Sequence, residues 1–142
     1  MANTSMSWLA QVGINHTPAY QVSGRPFASA SVQYDNGATA QVVRFPYVTR
    51  WWQIHNRGVS DLRVGFSALG VAGTNYNYYL TVPPSSSVTG FGKSDRYEMK
   101  VSQLWFYGAT AGTCDVVAGL TTIPPHRTSG SAGPNFSGST GV

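Results

Sequence analysis

Between Arg44 and Ser67 the chain reads RFPYVTRWWQIHNRGVSDLRVGFS. Leu62, Val64 and Phe66 alternate with Asp61, Arg63, Gly65 and Ser67, a period of two that predicts a strand with one buried face. In the run before it, Val48, Trp52 and Ile54 share one parity, while Thr49, Trp51, Gln53 and His55 share the other. The turn Asn56-Arg57-Gly58 joins the two runs. A strand with aromatic residues on both faces is either buried twice or packs against something beyond its own domain.

The same alternation recurs along the chain. Ala28 to Tyr34 predicts a strand, and Asp35-Asn36-Gly37 supplies a hairpin signal. Ala38 to Phe45 returns as a strand, Pro46 interrupts it, and Tyr47 to His55 continues. Gly70 and Gly73 mark a loop. Tyr76, Tyr78, Leu80 and Val82 form the next parity, stopped by Pro83-Pro84. Glu98 to Tyr107 reads as one long strand with Met99, Val101 and Trp105 on one face. Thr113 to Thr121 is the last, with Cys114, Val116, Ala118 and Leu120 in register. No segment has a convincing helical period. About eight short strands separated by turns predict an all-β, antiparallel two-sheet sandwich of the eight-stranded jelly-roll type. Val48, Trp52, Ile54, Leu62, Val64, Phe66, Met99, Val101 and Trp105 are expected to point inward.

Residues 1–27 are weakly patterned and read as an N-terminal arm with one short strand near Leu9–Ile14. Residues 28–122 form the sandwich. Residues 123–142 form a Gly/Ser-rich tail opened by Pro124-Pro125, whose composition cannot build a core alone.

Composition narrows the function classes. The 142 residues amount to one domain. Charged residues are 10% of the chain, far below the roughly 25% of ordinary soluble domains. Aromatics reach 13%. So little charge fits a surface largely covered by neighbours. The net charge is +4, but the nine basic residues form no run or arm, so direct genome binding is not expected. The single cysteine, Cys114, excludes an internal disulfide and reads as a small buried hydrophobe. No stretch is apolar enough to predict a signal peptide or a membrane span. Ala2 in place of glycine argues against myristoylation. The sequons at Asn3, Asn15 and Asn135 read as chance matches.

Candidate chemistry is sparse. The five carboxylates are Asp35, Asp61, Asp95, Glu98 and Asp115, and none pairs convincingly for glycoside hydrolysis. His16, His55 and His126 lack metal-ligand spacing, although His55 could meet Asp61 across its hairpin. Cys114 has no activating partner, and Asp115 beside it should raise its pKa. The glycines at 70 and 73 lack the lysine and helix of a phosphate cradle. The pattern predicts no catalysis, no metal and no cofactor. Arg50-Trp51-Trp52 has two readings. It could stack nucleobases or sugars, or Trp52 could lie in the core and Trp51 in a subunit interface; the second is the expectation here.

Arg44-Phe45-Pro46-Tyr47-Val48-Thr49-Arg50, the apolar strand ending in Ile54-His55-Asn56, and Leu62-Arg63-Val64-Gly65-Phe66-Ser67 together resemble the penton proteins of large icosahedral double-stranded DNA viruses. The likeness covers about residues 40–121. It implies a single jelly roll that forms pentamers at the capsid five-folds, made in the host cytoplasm, not secreted, and carried in the virion. It also implies contacts with neighbouring major and minor capsid proteins, and an internal membrane between shell and genome. Subunit contacts are then expected from Arg50, Trp51, His55 and Arg57, and from Phe136 in the tail. A minor capsid or spike-base protein would show the same residues. A carbohydrate-binding sandwich using Tyr76, Tyr78 and Tyr79 as sugar platforms is the alternative of a different class.

Overall fold

Alternating apolar residues assemble two antiparallel sheets, face to face. A computed structural model of the chain describes residues 12–13, 16–37, 40–72, 78–85 and 92–127. Its strands are β1 (Arg25–Tyr34), β2 (Gln41–Arg44), β3 (Thr49–Asn56), β4 (Leu62–Gly65), β5 (Tyr79–Val82), β6 (Gln103–Gly108) and β7 (Gly112–Leu120). One sheet has the order β1-β7-β3 and the other β2-β6-β4-β5. All strand pairs are antiparallel. Beside β3 runs a further extended segment, bridged at Trp52–Tyr97 and His55–Lys93. Trp52 and Tyr97 exchange both backbone hydrogen bonds, at 3.0 and 2.9 Å.

The inward parity of each strand fills the space between the sheets. Trp52, Ile54, Leu62, Val64, Leu104 and Phe106 are fully buried. From β7 come Cys114, Val116, Ala118 and Leu120, as their alternation predicts. Burying side chains of this size stabilises by about 1.5–3 kcal/mol each. Phe66 and Met99 pack against this core while remaining half-buried.

Three departures from strict alternation have physical causes. First, Thr49 is fully buried although it belongs to the outward parity of β3. The register slips between Thr49 and Trp51, so Arg50 is the extra residue of a bulge and the parity changes across it. Inside, Thr49 Oγ1 donates to Met99 O at 2.7 Å and accepts from Val101 N at 3.0 Å. Second, Trp105 faces outward, against expectation. Residues 98–107 are not one strand: Val101 and Ser102 are consecutive buried residues where the chain crosses from one sheet to the other. That crossing resets the alternation, so Leu104 and Phe106 point inward. Third, Ser31 interrupts β1 with a positive φ of 56° at a break in its register with β7.

Short helical turns appear where the sequence predicts none. α1 (Pro18–Gln21) and α2 (Ala68–Ala72) are single turns, too short to show a helical period. A 3₁₀ turn follows β7 at Pro125–Arg127. α2 lies on the outer face of β4, where a Cβ on Gly65 would meet Val71 and the Tyr78 carbonyl. α1 closes one end of the sandwich, where Ala19, Val48 and Ile123 form a second, smaller core. β1 begins at Arg25, within the stretch read as an arm. The segment Leu9–Ile14, Tyr76 and residues 128–142 lie largely or wholly outside the described residues. No helix among the described residues is long and apolar enough to cross a membrane.

Candidate functional site

The residues expected to make contacts lie mostly on the outer face of the β1-β7-β3 sheet. Register places Trp51, Gln53 and His55 of β3 beside Gly119, Val117 and Asp115 of β7. Trp51 spreads over Gly119, where any Cβ would collide with the indole. The glycine therefore makes the seat of the ring. On its other side the Arg96 guanidinium sits 4.6 Å from the Trp51 ring, and Arg96 in turn pairs with Glu98 at 2.9 Å. Gln53 Nε2 donates to Ser94 O at 2.9 Å, tying β3 to the segment beside it.

At the far end of the same face, Asp115 is the centre of a small charged group. Its Oδ1 accepts from the Ser31 backbone N–H at 2.9 Å and its Oδ2 from Arg57 Nε at 2.6 Å. The Ser31 N–H, then Arg57 and the nearby His55, hold the carboxyl below its usual range against the opposing effect of partial burial. His55 therefore stands beside Asp115 and not Asp61: the partner comes from β7, because β3 pairs with β7 while β4 lies in the other sheet. Asp115 contributes stability above its ordinary pKa of 3.8, and this is lost as pH falls through the lower folded value. The difference in melting temperature between the natural chain and Asp115→Asn should thus be constant near neutral pH and shrink only below about pH 4. A melting series from pH 7 to pH 2 checks this; a difference already gone at pH 5 would mean the carboxyl is not held down.

Among the described residues the arrangement stabilises charge but brings no nucleophile to His55. Cys114 points to the opposite face, into the core. Burial, and then the charge of Asp115, push its thiol up to about 12, so it stays protonated at neutral pH. Among the described residues no three metal-ligating side chains gather. An open cleft of about 440 Å³ beside the end of β1 is lined by Gln33, Asp35, Gln41 and Thr113, among others.

Of the expected contact residues, Trp51 and His55 share the outer face and Arg57 joins them through Asp115. Arg50 does not: its Nη1 donates to Val22 O at 2.8 Å, at the end closed by α1. Phe136 lies outside the described residues. Two arrangements escaped sequence reasoning. Asn56, read as a turn residue, is buried and bonded to three parts of the fold. Arg63 lies between the rings of Tyr79 and Tyr107, 4.6 and 5.5 Å from their centres, which occupies Tyr79 as a sugar platform. Both depend on which strands pair, which periodicity does not reveal. Comparison of the chain with protein-family models, with curated proteins and with solved structures finds no match.

Proposed function

We propose that this chain is a structural capsid subunit, built on a single jelly roll, that forms rings of five at an icosahedral vertex. The observation that carries the reading is the wiring of the sandwich. Counting the segment at residues 93–97 as an eighth strand, the sheets become β1-β7-β3-(93–97) and β2-β6-β4-β5. Every connection except β4–β5 then passes from one sheet to the other. That wiring matches the double Greek key expected of a jelly roll, an architecture common among capsid and lectin domains. The charge-poor composition and the resemblance of residues 44–67 to vertex proteins favour the capsid branch.

In a ring, one face of each subunit meets a different face of the next. Trp51 suits such a contact: it is held rigidly between Gly119 and Arg96, so little side-chain entropy is lost when a neighbour covers it. The glycan-binding alternative retains Tyr78, which is exposed. Native mass spectrometry of the purified chain separates the two. The vertex reading expects a species of five times the 15.2 kDa chain mass, reduced to monomer by Trp51→Glu with the fold intact. A monomer at all concentrations, with saturable binding to a polysaccharide, would favour the alternative and overturn the ring.

A further inference from the structure

The basic residues that stand singly in the sequence are gathered by the fold at one end of the sandwich. Arg25 opens β1 opposite Leu120, and Thr49, beside Arg50, faces the same Leu120 from the other side. Arg25 and Arg50 thus flank β7, about 10 Å apart by strand spacing. Lys100 lies next to the start of β3, since Thr49 bonds to both Met99 and Val101. Arg44 ends β2, and the following Phe45 bonds to Ser102. Arg127 ends the 3₁₀ turn just after Ile123, which bonds to Val48. These five cations share their end with a single carboxylate, Glu98, already paired with Arg96. The other four carboxylates lie toward the opposite end, at Asp35, Asp61, Asp95 and Asp115, together with Arg57, Arg63 and Lys93. The net charge of +4 is therefore concentrated at the α1 end.

Three of these cations are also pre-positioned. Arg25 lies 5.4 Å from the centre of the Tyr47 ring and Lys100 Nζ 4.2 Å from that of Tyr20. Arg50 is fixed by Val22 O. A cleft of about 150 Å³ lined by Ser23, Thr121 and Thr122, among others, opens beside Arg25. We propose that this end binds the phosphate backbone of duplex nucleic acid without reading its sequence. Four of the five cations are arginines, whose planar fork fits phosphate. Tyr20 and Tyr47 are already covered by cations, so they offer no open ring for the stacked bases on which single-strand binding relies. Val22, and Leu69 on the turn that follows β4, are the large apolar side chains exposed toward this end among the described residues, too little apolar area for anchoring in a bilayer. The proposal departs from the expectation set by the missing basic arm, and it stands independently of ring formation.

Fluorescence anisotropy of a labelled 20-base-pair DNA duplex, titrated with the full chain at several salt concentrations, tests it. Five phosphate contacts predict a log–log salt slope of about −4.5, or about a 500-fold loss of affinity between 50 and 200 mM salt. Arg44→Gln with Arg127→Gln, both exposed positions, should flatten the slope by about 1.8. If the double variant fails to fold by circular dichroism, either substitution alone should flatten it by about 0.9. Lys93→Gln, at the opposite end, should leave it unchanged. No binding at low salt, a slope indifferent to Arg44 and Arg127, or an equal response to Lys93→Gln would overturn the proposal. Binding to phosphatidylserine vesicles but not to the duplex would overturn it in favour of a membrane surface.

Discussion

Replacing Asn56 with alanine should destabilise the chain by about 3–5 kcal/mol, the loss expected when several buried polar groups are left unpaired together. The side chain is about 1% exposed. Its Oδ1 accepts from Tyr34 Oη at 2.7 Å and from the Gly58 N–H at 2.8 Å. Its Nδ2 donates to Ser60 O at 2.8 Å, and lies 3.1 and 3.2 Å from the carbonyls of Val82 and Pro83. One amide thus joins the ends of β1, β3 and β5, across both sheets. Asn56→Asp should cost a comparable amount, because it would turn a second acceptor toward carbonyls that need a donor. Urea unfolding of the three proteins measures this. A loss below 1 kcal/mol for Asn56→Ala would mean that water replaces the amide and that this end of the sandwich is open.

Trp52→Ala should cost about 3–5 kcal/mol, the usual range for emptying an aromatic site in a core. The ring is fully buried, with the Tyr97 ring 4.8 Å away. Its Nε1 is buried without a hydrogen-bond partner among the described residues. Trp52→Phe should therefore be much milder, about 1–2 kcal/mol, because the lost volume is partly offset by removing an unpaired N–H from an apolar site. The pair of variants is the informative experiment: if phenylalanine costs as much as alanine, the indole nitrogen is satisfied in solution and the offset is absent.

How much of this was legible in the residues depended on the range of the interaction. Alternation alone placed Val48, Trp52, Ile54, Leu62, Val64 and Val101 inside, because the face a side chain takes is a property of its own strand. It failed at Thr49 and Trp105. There the parity is reset by a bulge and by a sheet-to-sheet crossing, and both follow from pairing partners distant in sequence. The same limit applied to the surface. Proximity along the chain offers Asp61 as one possible partner for His55, whereas the fold supplies Asp115 from β7. The basic residues looked scattered because their common end exists only after β1, β3 and β7 align. The resemblance motif is informative about architecture for a related reason: Phe45, Val48, Ile54, Leu62 and Val64 are all buried, so what it chiefly encodes is a core.

The kink at Ser31 also bears on how the molecule behaves in a crowded solution. Among the described strands β1 lies at the margin of its sheet, and a ten-residue strand whose outward backbone groups no described strand pairs invites another chain. The left-handed turn at Ser31, fastened by Asp115, divides that margin into two shorter stretches whose registers no longer match. An incoming strand would have to break step at the same place to zip along the whole length. A carboxylate that anchors such a kink is expected to disfavour edge-to-edge pairing of copies. It would do so without adding bulk or charge to the strand itself, in a chain that has little charge to keep its copies apart.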